Sequence, residues 1–221
     1  TGCGKTTTLY ALLTTLNENS RNILTIEDPI EYDLMGIGQI PVNENIGMSF
    51  AKGLRAILRQ DPDIVMIGEI RDADTAETAA QAALTGHIVL STLHTNSAPS
   101  TLTRLINMGI PGYLIAPSLN LIIAQRLARV NCPNCRVEDK ADPTLLKSIG
   151  FSDEEIPNVR LYKGQGCDTC FNNGTKGRFA IHEVLVITKN IREAILAGLS
   201  DIEIATVAAE KDGFVSMQAR G

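Results

Sequence analysis

Gly4, Lys5 and Thr6 stand in "TGCGKTTTLY" in the order of the last three positions of the phosphate-binding pattern G-x-x-x-x-G-K-[ST]. The first glycine of that pattern would fall two residues before Thr1. In such a loop, glycines let backbone N–H groups turn inward around phosphate oxygens and the following helix offers its positive end. Lys5 would bridge the outer phosphates and Thr6 would ligate Mg²⁺, with Gly2, Cys3 and Thr7 as further contacts. The competing reading is a glycine-rich terminus ahead of a helix. A second set of chemistry-bearing residues is Cys132, Cys135, Cys167 and Cys170, two C-x-x-C pairs separated by residues 136–166. Each pair can present two thiolates to one tetrahedral zinc ion, and together they close a structural S₄ site with no position left for catalysis. Redox dithiols are the alternative.

These groups need elements to position them. The apolar runs "NILTIEDP", "DIVMIGE" and "HIVLSTLH" predict strands over Asn22–Ile26, Ile64–Gly68 and His87–Leu93. Helices are expected over Thr6–Leu16, behind Ser49 on Phe50, Leu54, Ile57 and Leu58, and from Asp74 to Gly86. Two more are expected over Ser100–Met108 and Ser118–Arg129, broken by "GIPG", and a last one over Ile191–Lys211. Strands alternating with helices predict an α/β domain with a parallel sheet over 1–130. The cysteine-bearing module is expected over 131–178 and a C-terminal helical segment over 179–221.

Ligands of open α/β sheets lie beyond the carboxyl ends of the strands, and each strand here ends in polar chemistry. The first ends in Glu27 and Asp28, with Glu31 just past Pro29; the second in Glu69; the third in Ser91, Thr92 and His94. Glu69 is placed to hold Mg²⁺ through water or to polarise an attacking water, and the third set to contact a γ-phosphate. Plainer readings stand beside these: Glu27 and Asp28 close a turn, Glu69 pairs with Arg71, and His87 is structural.

The composition narrows the classes. A formal charge of −5 over 221 residues, with 4% aromatics, argues against a nucleic-acid partner. No apolar run approaches the roughly 20 residues of a membrane span. Five cysteines, four of them paired at metal spacing, suit a reducing compartment. Thr1 is not an initiator methionine, so the chain is expected to begin inside a longer protein.

Four motifs in order carry a family resemblance across essentially the whole chain. "TGCGKTTTLY" is similar to the Walker A, "LTIEDPIEY" to the Asp box, "LRQDPDIVMIGEIRD" to the Walker B and "TGHIVLSTLHTNSA" to the His box of the type II secretion and type IV pilus assembly ATPases. The tetracysteine element resembles that of the same branch. The resemblance implies a RecA-like P-loop domain, truncated inside its Walker A, that works in a homohexamer on the cytoplasmic face. There it would hydrolyse ATP to drive an inner-membrane platform protein in pilus or pseudopilus assembly. It further implies that Lys5 and Thr6 bind phosphate and Mg²⁺, that Glu69 is the Walker B glutamate, that Glu31 is the Asp-box glutamate, and that His94 belongs to the His box. Either Glu31 or Glu69 could orient the attacking water; the expectation taken here is Glu31 for the water and Glu69 for the Mg²⁺ shell. The rival reading is a RecA-like nucleic-acid translocase with a structural zinc module.

Overall fold

The computed structural model describes residues 2–140 and 142–220; Thr1, the first residue of the glycine loop, lies outside them, as do Ala141 and Gly221. Two compact units are formed, one from the N-terminus to Arg126 together with the segment from Ile181 onward, the other Leu127–Ala180.

The first unit is built on a parallel sheet. Helix α1 (Lys5–Leu16) is followed by β1 (Ile23–Glu27), β2 (Gly38–Pro41), α2 (Phe50–Ile57), β3 (Ile64–Ile67), α3 (Ala73–Leu84) and β4 (Ile88–Ser91). The strand order is β2-β1-β3-β4, and every pairing is parallel. All four residues of β3, "IVMI", are buried, as a central strand covered on both faces requires. Side chains alternate between the faces. Ile64 and Met66 join Ile23 of β1 and Leu9, Tyr10 and Leu13 of α1. Val65 and Ile67 join Ile26, Phe50, Leu54, Ile57 and Ala79 under α2 and α3. Ser49 caps α2 by accepting from the Lys52 N–H, and Asp72 caps α3 by accepting from Thr75.

After α4 (Ala98–Asn107) and α5 (Gly112–Ser118), the structure departs from the expectation of a helix over Ser118–Arg129. The helix ends at Ser118, and Leu121–Asn131 is strand β5. Its β-branched Ile122, Ile123 and Val130 favour extended backbone, and a short apolar run fits either period until a partner strand decides it. That partner is distant in sequence: after β6 (Arg136–Asp139), α6 (Pro143–Ser148) and β7 (Leu161–Gly164), strand β8 (Thr175–Val186) pairs with β5.

The expected helix over Ile191–Lys211 is two helices, α7 (Lys189–Leu196) and α8 (Asp201–Asp212), with α9 (Met217–Arg220) beyond. Gly198 takes φ +72°, a left-handed conformation that ends α7. Ser200 and Glu203 then form a capping box that starts α8. A third apolar cluster unites these helices with α4 and α5 through Leu102, Ile115, Leu185, Ile191, Ile195 and Ile204.

In the second unit β6 and β7 pair antiparallel, and the backbone of Gly164 meets that of Gly174. A Cβ at Gly164 would lie 1.8 Å from the Gly174 carbonyl oxygen, a backbone atom that no rotamer change relieves. Gly164→Ala is therefore expected to destabilise this unit by roughly 1–3 kcal/mol or more, read as a lowered thermal midpoint.

Candidate functional site

Register brings the strand ends into line. Ile26 pairs with Ile67 and Ile67 with Ser91, so the chain leaves β1, β3 and β4 at one level. Glu69 follows β3 by two residues and His94 follows β4 by three, and they meet: His94 Nε2 lies 3.0 Å from Glu69 Oε2. Arg71 pairs with the other carboxylate oxygen of Glu69, reaches Asp28 at 3.5 Å, and lies 5.7 Å from the centre of the Phe50 ring. The pairing of Glu69 with Arg71, the plainer reading of that residue, is therefore present together with the convergence on His94. The Glu69 side chain is 15% exposed. Burial alone would raise its pKa; the hydrogen bonds and charges of Arg71 and His94 outweigh that and hold it below the usual carboxylate range. Glu69 therefore stays an anion.

The glycine loop reaches the same strand ends. Gly2 and Gly4 adopt φ +79° and +83°, which a side chain would strain. Gly4 is the N-cap of α1 and offers no side chain to its first amides. Thr6 and Thr7 are exposed on the first turn. Lys5 Nζ donates to the Leu93 carbonyl at 3.3 Å, tying the loop to the residue beside His94. Ser91 and Thr92 donate their hydroxyls to the carbonyls of Ile67 and Gly68 at 2.9 and 2.8 Å. His87, near the other end of β4, places Nδ1 3.0 Å from the Ala82 carbonyl at the end of α3.

Gln125 belongs to none of the motifs, yet it packs against the glycine loop. Its amide donates from Nε2 to the Cys3 carbonyl at 2.9 Å and accepts at Oε1 from the Thr8 hydroxyl at 2.7 Å, bracing both sides of the glycine loop. Arg126, beside it, donates to Asn96 Oδ1 at 3.1 Å. The available signal was that Gln125 and Arg126 follow the apolar run "LIIA" as the polar groups follow the other strands. Glu27, by contrast, is only 3% exposed. Its carboxylate accepts from Tyr10 Oη, from Thr25 Oγ1 at 2.6 Å and from Gln39 Nε2 at 3.1 Å. Glu31 is exposed, and its backbone N–H donates to Tyr10 Oη at 3.2 Å.

The four cysteines form the second candidate site. Their sulfur atoms all lie within 4.8 Å of one another, and three pairs are separated by 3.8 Å. Zn–S bonds of about 2.3 Å at tetrahedral angles place sulfurs about 3.8 Å apart, so the thiols fit one zinc ion. No disulfide links them. Burial pushes the Cys135 thiol up to about 11. At Cys170 burial also acts upward, yet the N–H groups of Cys167 and Gly174 and the neighbouring thiols bring it down to about 7.

The family model described as "Type II/IV secretion system protein" matches residues 1–220. The chain is 50% identical over 211 residues to the type IV pilus assembly ATPase PilB of Thermus thermophilus, covering 96% of this chain and 24% of that protein. It is 55% identical over 195 residues to the type II secretion system protein E of Pseudomonas aeruginosa, covering 88% and 38%. The chain thus spans well under half the length of these curated relatives. Among solved structures, the pilus retraction motor PilT with bound ADP superposes with a TM-score of 0.69 at 30% identity, over 99% of this chain and 53% of that one. The ATPase DotB of Legionella pneumophila gives 0.63 at 27%, over 95% and 49%. The fold is the α/β architecture of these ATPases, and four cysteines of this chain cluster at metal-binding separations.

If Gln125 braces the glycine loop, Gln125→Leu should loosen the first turn of α1. Exchange of the Thr8 amide, which donates to the Gly4 carbonyl at 3.0 Å, is expected to quicken roughly tenfold for two lost neutral hydrogen bonds. Hydrogen–deuterium exchange measures it.

Proposed function

We propose, from the premise that the chain belongs to the Type II/IV secretion system protein family, that it supplies the ATP-hydrolysing part of a motor that builds a pilus or pseudopilus. The observation that carries the reading is the meeting of the glycine loop with the strand ends: Lys5 reaches Leu93, and one residue on His94 meets Glu69. Lys5 binds the outer phosphates, and the amides of Gly2–Thr7 surround them. The exposed Thr6 hydroxyl and the ionised Glu69 carboxylate are oxygen donors of the kind Mg²⁺ takes, and the ion would neutralise charge on the phosphates. Glu31 orients the attacking water, and His94 holds the Glu69 carboxylate from the side facing β4. Cys132, Cys135, Cys167 and Cys170 hold zinc in a closed structural site.

The names of the relatives support a role in secretion or pilus assembly. The motor acts as a homohexamer at the cytoplasmic side of the inner membrane, against a platform protein of the machine. Among the described residues no helix is long and apolar enough to cross a membrane.

The test is made in the full-length protein. Glu31→Gln is expected to lower kcat for ATP hydrolysis by about 10²-fold or more while nucleotide still binds. Lys5→Ala should abolish binding of a fluorescent ATP analogue. Wild-type turnover by Glu31→Gln in a single-turnover assay would overturn the assignment of the water to Glu31. For the cysteine unit, protein purified without chelator should carry about one zinc per chain, and Cys132→Ser should lose it. Elemental analysis decides that point.

A further inference from the structure

Tyr10 lies in the buried face of α1, a turn and a half beyond Lys5 in the helix that starts at the glycine loop. Its ring is 1% exposed and meets the Tyr32 ring edge-on, with centroids 4.7 Å apart. Space filling alone asks for no hydroxyl here, because Leu9 and Leu13 of the same helix serve the same cluster with apolar groups. The hydroxyl instead has two jobs at once. Its proton goes to the Glu27 carboxylate, and its lone pairs accept from the Glu31 N–H at 3.2 Å and from Gln39 Nε2 at 3.4 Å.

The direction of these bonds follows from the chemistry of the site. Period-two alternation along β1 puts Thr25 and Glu27 on the face covered by α1. A carboxylate buried to this degree needs donors, and it receives three. Burial and the neighbouring Glu27 push the Tyr10 pKa up to about 12, so the phenol keeps its proton and remains a donor to Glu27. With that proton committed, an N–H donor is the group its lone pairs can take, and Glu31 supplies one.

We propose that Tyr10 is a positioning residue: its hydroxyl, oriented by Glu27, fixes the backbone of Glu31 to the helix that carries Lys5 and Thr6. The loop bearing the water-orienting carboxylate is thereby registered against the phosphate-binding loop. This deepens the reading given above and rests on Glu31 acting on the attacking water.

Steady-state ATP hydrolysis by the full-length protein tests it, with nucleotide affinity measured on the same samples as the check that each variant is folded. Tyr10→Phe keeps the ring and removes the link; kcat is expected to fall at least tenfold with KM for ATP changed less than twofold. Thr25→Val removes a different hydrogen bond to the same Glu27 carboxylate; it should lower the thermal midpoint but leave kcat within twofold. Tyr10→Phe added to Glu31→Gln should slow turnover no further, because one residue acts through the other. An unchanged kcat in Tyr10→Phe, beside an inactive Glu31→Gln, overturns the inference alone. So does equal loss of kcat in Tyr10→Phe and Thr25→Val, or additive loss in the double variant. A Glu31→Gln protein with wild-type turnover overturns the underlying reading and the inference with it.

Discussion

Parallel pairing of β1, β3 and β4 in a common register is the constraint on which the rest of the first unit depends. Parallel strands end on the same side, so residues with no sequence relation arrive at one edge of the sheet. Asp28, Glu69 and His94 are neighbours there only because Ile26, Ile67 and Ser91 share a level. The same constraint puts the start of α1 beside the end of β4, where Lys5 reaches the Leu93 carbonyl. An antiparallel partner would have carried one of these groups to the opposite edge.

Two glutamates at the ends of neighbouring strands are handled by opposite means. Glu69 keeps its charge through the Arg71 guanidinium on one oxygen and a ring nitrogen of His94 on the other, at a partly open position. Glu27 is closed off and is held by neutral donors, a phenol, an alcohol and an amide. Hydrogen bonds of that kind satisfy a buried carboxylate without bringing in a second charge that would itself need solvation. Glu69 keeps some of its surface open to solvent, whereas Glu27 is part of the scaffold. No buried side-chain nitrogen or oxygen among the described residues lacks a partner, in keeping with a polar interior whose groups are matched.

The second unit has a different basis. Its strands are short, and few of its side chains are buried apart from Leu146, Cys132 and Cys170. What defines it is the close approach of Gly164 and Gly174, together with sulfur atoms at the separations a single zinc ion sets. A unit with so little apolar core would gain more from such a staple than a sheet-based domain would.

Local chemistry made much of this legible in advance. Residue types alone were enough for the glycine loop, for strands β1, β3 and β4, for the cap at Ser49 and for the cysteine pairs, because each depends on positions close together in the chain. They also identified Glu31, Glu69 and His94 as candidates, since polar residues at the ends of apolar strands stand out. That Leu121–Asn131 is a strand emerges from the three-dimensional fold, because its apolar run suits helix or sheet and the pairing partner β8 lies far along the chain. The same holds for Gln125 against Cys3 and Thr8, Arg71 reaching Asp28, and Tyr10 between Glu27 and Glu31. A hydrogen bond between side chains distant in sequence leaves no periodicity to read. It exists only once the backbone has brought its two ends within about 3 Å.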